Sequence, residues 1–322
     1  MDKLASIGFY TLEDRRASYL AFHSQLWRCE LLLTARCNFK CPYCRGTDPS
    51  ANITFDYAKH VVDLWSSAGL KNIRFSGGEP TCVPWLPELV SYTKKTTGIE
   101  RIALSTNGSR SRGYYSDLFD RGINDFSISL DACCSSFGEK MSGVKGAWEV
   151  VVKNIGYLSS KTYVTVGCVF DENNVEQSLQ TVILAHDLGV SDIRIISAAQ
   201  FNKALGFAKE IPQDILNGHP ILKYRVTNFL RGRNVRGIGE RDNHKCPLIL
   251  DDMAIKGRYH YPCIIKMREG CEPIGKVSEN MREERIQYFL NHNTFNDNIC
   301  KQNCLDVCVD YNNKVRETNT II

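Results

Sequence analysis

Short apolar runs alternate with amphipathic stretches between residues 28 and 200. Runs rich in aliphatic and β-branched residues predict six strands. These runs occupy residues 30–35, 72–76, 101–106, 125–131, 163–170 and 192–197. Between them, apolar residues recur at helical spacing, as Val61, Val62 and Trp65 do after Thr54, a good N-cap. The predicted helices occupy residues 54–68, 84–95, 113–121, 146–159 and 175–188.

This alternation predicts an α/β fold in which right-handed helical crossovers join parallel strands. Two closures are compatible with it, an open doubly wound sheet and a barrel, and periodicity does not choose between them. In both closures, ligands bind at the carboxyl ends of the strands. The unusual residues of this chain also lie in the loops that follow the predicted strands.

The alternation ends near residue 205. The stretch 205–245 is mixed and basic, and between 223 and 241 Glu240 is its only acid. The basic residues there are Lys223, Arg225, Arg231, Arg233, Arg236 and Arg241. A charge run of this kind favours a solvated linker, with a contact to a phosphate or an acidic substrate as the alternative. The rest, 246–322, predicts a small domain held largely by metal, because so short a region has a modest core.

Composition narrows the class of protein. The chain has 322 residues, of which 43% are hydrophobic and 24% charged, and its net charge is +4. This balance is typical of a soluble globular chain, and the small net charge disfavours a nucleic-acid partner. We find no signal peptide and no run of the ~18 apolar residues that span a membrane. We therefore expect a cytoplasmic protein with no membrane partner.

Cysteine is the exception to this ordinary composition. The chain has 14 cysteines, which in a cytosolic protein of this size indicate metal or redox chemistry rather than disulfides. Three lie together as Cys37, Cys41 and Cys44, six lie between 246 and 308, and the stretch 169–245 has none. Each of the two groups is a candidate metal site.

The first group is CNFKCPYC (37–44), with CxxxCxxC spacing directly after the first predicted strand. A structural zinc site needs a fourth ligand, and the nearest further cysteines are Cys29 and Cys82. Three thiolates suit a four-iron cluster that leaves one iron open to the amino group and carboxylate of a small molecule. Reduced cysteines without metal are the alternative.

The second motif is SGGEP (76–80), after the second predicted strand. Its two glycines, Gly77 and Gly78, allow close backbone approach to a ligand. Glu79 offers a carboxylate to an ammonium group. Alone this motif is weak evidence, but one strand after CxxxCxxC it is specific.

Together, CNFKCPYC and SGGEP resemble the radical S-adenosylmethionine (radical SAM) superfamily, over roughly the first two-thirds of the chain. The resemblance implies a partial (β/α)6 barrel and a catalytic [4Fe–4S] cluster on Cys37, Cys41 and Cys44, with SAM on the open iron. It implies that Gly77, Gly78 and Glu79 hold the methionyl ammonium and that Tyr43 lies near adenine. Further implied contacts toward the ribose and active site are Thr106, Asn107, Ser129 and Asp131.

The implied chemistry belongs to the cofactor. One electron cleaves SAM to methionine and a 5′-deoxyadenosyl radical, which removes a hydrogen atom from a substrate carbon. A flavodoxin or ferredoxin-type protein is the implied electron donor.

The cysteine-rich tail resembles the SPASM and Twitch extensions, which carry auxiliary iron–sulfur clusters. The match is imperfect, because five residues separate Gly257 from Cys263 where the family pattern has four. Six cysteines imply one auxiliary [4Fe–4S] cluster rather than two, and a structural zinc is the alternative. The candidate ligands are Cys246, Cys263, Cys304 and Cys308, with Cys300 next. If one helix carries the last three cysteines of the tail, their i, i+4 spacing places the thiols on one face.

The resemblance divides the chain into four parts. These are an N-terminal extension (1–26), a radical SAM partial barrel (27–204), a basic connecting segment (205–245) and a SPASM/Twitch-like auxiliary domain (246–322). The first 26 residues are too few for a leader-binding fold, which favours a small molecule or nucleotide as substrate. A peptide-modifying maturase is the alternative within the superfamily. The alternative of another class is a non-catalytic iron–sulfur or zinc protein.

Overall fold

The strands and helices follow the predicted alternation. The computed structural model describes residues 3–9, 12–44, 46, 48–96, 98–198 and 202–319. The strands in these residues are β1 (Arg28–Leu32), β2 (Asn72–Ser76), β3 (Arg101–Thr106), β4 (Asp125–Ser129), β5 (Tyr163–Phe170), β6 (Asp192–Ser197), β7 (Asp252–Lys256), β8 (Tyr259–Tyr261) and β9 (Gly275–Lys276). The α-helices are α1 (Asp14–Tyr19), α2 (Phe55–Ser67), α3 (Leu86–Lys95), α4 (Arg112–Arg121), α5 (Ser135–Ser142), α6 (Ala147–Ser159), α7 (Ser178–Asp187), α8 (Gln213–Gly218), α9 (Pro220–Leu230), α10 (Ile264–Arg268), α11 (Met281–Asn291), α12 (Asn298–Asn303) and α13 (Asp306–Thr318).

All six predicted strands form, as β1 to β6. The first covers Arg28–Leu32 rather than 30–35, because the side chain of Asn52 replaces a strand neighbour beyond it. Asn52 Oδ1 accepts hydrogen bonds from Thr34 Oγ1 at 2.7 Å and from the Ala35 amide at 3.0 Å. Helix α2 begins as predicted, with Thr54 Oγ1 accepting from the Tyr57 amide at 3.3 Å.

The order of the strands selects the barrel over the doubly wound sheet. The order is β6-β5-β4-β3-β2-β1-β7-β8-β9. Strands β1 to β6 are parallel and lie side by side in chain order. A doubly wound sheet reverses its order at a switch point, and β1 to β6 show no reversal. The six strand–helix units therefore form a partial barrel.

The two faces of these strands differ in polarity. Alternate residues such as Phe75, Leu104 and Phe126 pack with Trp65 and Leu118 of the helices in one core cluster. Each side chain of this kind contributes about 1.5–3 kcal/mol when fully buried. The other face is polar: its side chains include Glu30, Arg74, Ser105, Ser127 and Arg194, several of which hydrogen-bond across strands. The interior of the partial barrel is therefore a polar chamber.

The cysteine-rich tail shares this sheet. Strand β7 pairs in parallel with β1, from Arg28 opposite Asp252 to Leu31 opposite Ile255, and β8 and β9 add antiparallel strands beyond it. A second core cluster joins Leu20 of the N-terminal extension to Tyr224, Leu250 and Tyr311. The division of the chain at residues 26, 204 and 245 stays a prediction. Backbone hydrogen bonds nevertheless cross positions 204 and 245, and one apolar core crosses all three.

The interpretation of 205–245 as a solvated linker is wrong for part of its basic run. Arg225 on α9 lies 3.0 Å from the carboxylate of Asp306, and Arg233 Nη1 donates to Asp310 Oδ2 at 2.8 Å. The Tyr224 hydroxyl also donates to Asp310. These cations compensate buried acids on α13, which a reading of local charge alone does not reveal because the acids lie more than seventy residues away.

The expected single helix through the last three cysteines is also wrong. Helix α12 ends at Asn303 and α13 begins at Asp306, so Cys304 lies between the helices. Cys300 belongs to α12 and Cys308 to α13. The turn between the helices, rather than a common helix face, sets the relative positions of these thiols. Among the described residues, no helix is long and apolar enough to cross a membrane.

Replacing Asp310 by Asn should lower the free energy of unfolding by about 2 kcal/mol, because it leaves the Arg233 guanidinium without its carboxylate in a half-buried site. Denaturant unfolding of the anaerobic protein measures the change. Asp117→Asn is the matched control, because Asp117 forms an exposed i, i+4 pair with Arg121 and should change stability little. Equal stability of the two variants would contradict the structural role of the Arg233–Asp310 pair.

Candidate active site

The three-cysteine loop lies beyond the carboxyl end of β1, where ligands of parallel barrels bind. Backbone hydrogen bonds tie it down: the Lys40 amide donates to the Ser142 carbonyl at 2.8 Å, and the Cys44 amide to the Cys41 carbonyl at 3.0 Å. Cys37 and Cys44 are exposed and Cys41 is half-buried. The loop therefore has a defined backbone while its thiols stay accessible.

Two glycines let the SGGEP turn pack directly against this loop. The Gly78 amide donates to the Thr34 carbonyl at 2.8 Å, and the Glu79 amide to the Arg36 carbonyl at 2.7 Å. A Cβ atom at Gly77 would lie 2.5 Å from the Thr34 oxygen, and one at Gly78 would lie 2.4 Å from the Arg36 oxygen. Here the glycines admit the backbone that leads to the cysteines, a role that sequence analysis did not foresee.

The electrostatics of Cys37 and Cys41 oppose ionisation of these thiols without a cation. Burial raises the pKa of Cys41 to about 12, with a further contribution from Asp131. Burial also raises the pKa of Cys37, and the charges of Glu79 and Cys44 add to the effect. A thiol bound to a metal ion is deprotonated, since the ion's charge reverses this balance. The loop therefore has the donor chemistry of a metal site.

The Glu79 carboxylate is buried and hydrogen-bonded on both oxygens. Oε1 accepts from the amide and hydroxyl of Thr81 at 3.0 and 2.7 Å and from Thr106 Oγ1 at 2.7 Å. Oε2 accepts from the Asn107 amide at 2.6 Å. Burial raises the pKa of Glu79 even against these donors. Glu79 thus joins the carboxyl ends of β2 and β3, and Tyr115, 3.0 Å from Thr106, extends the network.

Tyr43 and Asp131 form a second link across the carboxyl end of the barrel. The Tyr43 hydroxyl donates to the Asp131 carboxylate, whose other oxygen accepts from the Val169 amide at 2.8 Å. Burial raises the pKa of Asp131 to about 6, although both donors oppose the shift. Ser129 is exposed at the end of β4. The cysteine loop is therefore connected to the ends of β4 and β5.

Asn38 is a site residue that sequence analysis missed. Its side-chain oxygen accepts from Asn107 Nδ2 at 2.9 Å and lies 3.9 Å from Cys82 Sγ. The same Asn107 Nδ2 atom also lies 4.0 Å from Cys37 Sγ. No spacing signal marks an Asn inside a cysteine motif, so only the tertiary contacts reveal it.

The second cysteine group converges in the tail. The thiols of Cys246, Cys263, Cys300, Cys304 and Cys308 act electrostatically on one another. Burial raises the pKa of Cys246 to about 11, and a hydrogen bond to Cys308, together with burial, raises that of Cys304. Cys271 lies near Lys266 and Asp297, which are also neighbours of Cys300. The choice of the five other thiols as ligands stays a prediction.

Cys300 has an additional neighbour that sequence spacing did not indicate. The ligand atoms of His292, Asp297 and Cys300 lie within 4.8 Å of one another, the single such trio in the described part of the chain. Lys266 forms an ion pair with Asp297 there. His260, by contrast, is paired with Glu284 at 2.7 Å.

Comparison with known proteins identifies the first domain. A family model described as the Radical SAM superfamily matches residues 31–185. These residues form a radical SAM domain. This domain, about half of the chain, is that of a radical SAM enzyme, and the cofactors of such a domain are a [4Fe–4S] cluster and SAM. The three free thiols of the loop, two exposed and one half-buried, fit the thiolate ligands that such a cluster requires.

Relatives of the radical SAM domain include GTP 3′,8-cyclase of Vibrio atlanticus, which is 32% identical over 146 residues. The aligned part is 40% of this chain and 44% of that protein, so the chain matches less than half the length of these relatives. GTP 3′,8-cyclase of Tolumonas auensis is 34% identical over 132 residues, which are 38% of this chain and 37% of that protein.

A solved structure supports the fold beyond the radical SAM domain. The structure described as native anSMEcpe with bound AdoMet and Kp18Cys peptide has a TM-score of 0.59 and 14% identity. The match covers 90% of this chain and 96% of that one. At this identity the likeness concerns the fold alone. It extends through most of the tail as well as the barrel.

Gly78→Ala should lower the free energy of unfolding by about 2 kcal/mol, because its methyl group has no room beside the Arg36 carbonyl. It should also lower the iron bound after anaerobic reconstitution, since displacing that carbonyl displaces the adjoining cysteine loop. Gly113→Ala is the control, because open space surrounds its Cβ position. Iron content and stability of Gly78→Ala equal to those of the control would contradict the close-packed turn.

Proposed function

We propose that this chain cleaves SAM reductively at a [4Fe–4S] cluster held by Cys37, Cys41 and Cys44. The observation that carries the proposal is a loop of three free thiols at the carboxyl end of a partial barrel, braced by SGGEP. When bound, the cofactors supply one-electron cleavage of SAM and a 5′-deoxyadenosyl radical that removes hydrogen from the substrate. The protein's own residues position the reactants and exclude water.

Several residues are proposed to hold SAM. The backbone around Gly77 and Gly78 binds the methionyl ammonium, and Glu79 supports it by fixing the ends of β2 and β3. Thr106 and Asn107 act through the same Glu79 network. The residues proposed on the adenosine side are Tyr43, Ser129 and Asp131.

Replacing Cys37, Cys41 and Cys44 together by Ala should abolish formation of 5′-deoxyadenosine with dithionite and SAM, because no cluster then delivers the electron. It should also remove about four of the irons bound after anaerobic reconstitution, one [4Fe–4S] cluster. Chromatography of the nucleoside and iron analysis measure both effects. Cys82→Ala is the control, because its thiol is near Cys37 but is not a proposed ligand. Undiminished 5′-deoxyadenosine from the triple variant would overturn the proposal.

We propose that the substrate is an anionic small molecule, with a nucleotide as the leading candidate. The polar face of the barrel carries Arg74, which donates to Ser105 on the neighbouring strand, and Arg194, which donates to Ser127 two strands away. Guanidinium groups in a half-buried chamber suit phosphate and carboxylate groups. The cyclase relatives are named for a nucleotide substrate.

A peptide substrate is the second candidate. The structural neighbours include anSMEcpe and Streptococcus suis SuiB, whose structures are described with bound peptides. The SuiB match has a TM-score of 0.57 and 15% identity, over 86% of this chain and 66% of that one. Since these likenesses concern the fold, we favour the nucleotide.

Arg74→Gln should raise the Kd for GTP about tenfold, the effect of losing one charge-assisted hydrogen bond. Anaerobic calorimetry of the reconstituted protein measures this. Asp125 keeps Arg101 as a second cationic neighbour, so the fold should survive. Arg121→Gln on the outer helix α4 is the control. Equal binding of GTP and uncharged guanosine, or an unchanged Kd in Arg74→Gln, would contradict recognition of an anion by Arg74.

We also propose one auxiliary [4Fe–4S] cluster in the tail, within a SPASM/Twitch-like domain. Its ligands come from the converging thiols Cys246, Cys263, Cys300, Cys304 and Cys308. Such a cluster takes at most four cysteines, and Cys300 is the candidate to be spared because His292 lies 3.9 Å from its sulfur. A structural zinc is the alternative, and metal analysis distinguishes them. A flavodoxin or ferredoxin-type protein is the proposed reductant.

A further inference from the structure

A buried cation lies beside the converging thiols of the tail. Arg285 on α11 is 1% exposed. Its guanidinium donates to the carbonyls of Ile249 at 2.8 Å, Tyr261 at 3.0 Å and Pro262 at 3.2 Å. It also contacts the Asp252 carbonyl and His260 Nδ1. These acceptors satisfy its hydrogen bonds but are uncharged, and burial lowers the pKa of Arg285 to about 10 even though the Asp252 charge raises it.

The carbonyls that Arg285 binds belong to the backbone that carries two thiols. Pro262 immediately precedes Cys263. Ile249 closes the turn that begins at Cys246, with its amide donating to the Cys246 carbonyl at 3.1 Å. The charge of Arg285 also lowers the pKa of Cys246, against the larger effect of burial. Arg285 therefore orders this backbone and places a fixed positive charge near both sulfurs.

We infer that Arg285 is the internal counter-cation of the auxiliary iron–sulfur cluster. The inference rests on the cluster proposed above. A cluster held by thiolates carries net negative charge and becomes more negative when it gains one electron. A nearby buried cation favours that reduced state, since charges interact more strongly where water is excluded. No bond at Arg285 forms or breaks, so its role is positioning and electrostatic.

The same helix provides a matched control. Arg282 lies one turn from Arg285 and also donates to backbone carbonyls, those of Leu250 and Ser24. Burial lowers the pKa of Arg282, as it does that of Arg285. The charges that act on Arg282 are those of Asp251, Arg16 and Glu283 rather than a cysteine thiol. Arg282→Gln thus removes a half-buried cation of the same helix that lies away from the thiols.

The test is a redox titration, followed by electron paramagnetic resonance, in full-length protein whose Cys37, Cys41 and Cys44 are replaced by Ala. In that background the resonance signal can come only from the auxiliary cluster. Arg285→Gln should shift the ratio of reduced to oxidised cluster at least tenfold toward the oxidised form, a fall of about 59 mV for a one-electron couple. Arg285→Lys retains the positive charge and should shift the reduction potential much less. Arg282→Gln should leave the potential unchanged.

Asp252→Asn is a second variant, and we expect it to change the reduction potential in the opposite direction. The negative charge of Asp252 raises the pKa of Arg285. Its carboxylate is also paired with Arg28 at 3.4 Å, at a partly exposed position that should tolerate substitution. Removing its negative charge should raise the reduction potential. If Arg285→Gln does not fold, Arg285→Lys and Asp252→Asn carry the test.

The outcomes separate the two proposals. If the background protein binds no iron–sulfur cluster after reconstitution, both the auxiliary cluster and the role of Arg285 are overturned. If it binds about four irons as one cluster, but its potential does not respond to Arg285→Gln or to Asp252→Asn, the cluster stands and the counter-cation role alone is overturned.

Discussion

The contact between the cysteine loop and the SGGEP turn is the constraint on which the active site depends. Two backbones meet there through two hydrogen bonds, and no side chain larger than hydrogen fits between them. Because the turn also carries Glu79, the same contact ties the loop to the ends of β2 and β3 through Thr106 and Asn107. The thiols thus belong to a rigid edge of the barrel, although they lie in a loop. Rigid support of this kind is what positioning a cluster and its ligand requires.

Burial opposes ionisation of thiols in both cysteine groups, at Cys41 in the loop and at Cys246 and Cys263 in the tail. Burial also makes the Arg285 guanidinium costly. Bound metal ions would stabilise the thiolates, and the proposed auxiliary cluster would place negative charge beside Arg285. The tail joins the barrel through β7 and a shared core, so these charges lie in one continuous structure. The reduction potential of a buried centre then depends on residues far apart in sequence.

The six strands predicted from the sequence are confirmed, whereas the two metal sites stay predictions and several contacts around them were not predicted. Six strands, the three-cysteine loop and the five clustered thiols of the tail all follow from local patterns, because spacing and periodicity are local properties. The partners of Arg225 and Arg233 on α13 do not, nor does the placement of Cys304 between two helices. Asn38, His292 and Arg285 carry no motif, and each acquires its role from neighbours brought close by folding.

The sequence by itself indicated the radical SAM domain, since the cysteine spacing and the glycine turn encode ligand type and backbone freedom directly. Only the tertiary structure decided between a barrel and a doubly wound sheet. The order of parallel strands depends on which strand edges pair, and no strand's own pattern contains that information. It also decided that Gly77 and Gly78 face another backbone and that a buried arginine adjoins the tail thiols. Close approach and burial exist only between segments distant along the chain, so no local pattern can contain them.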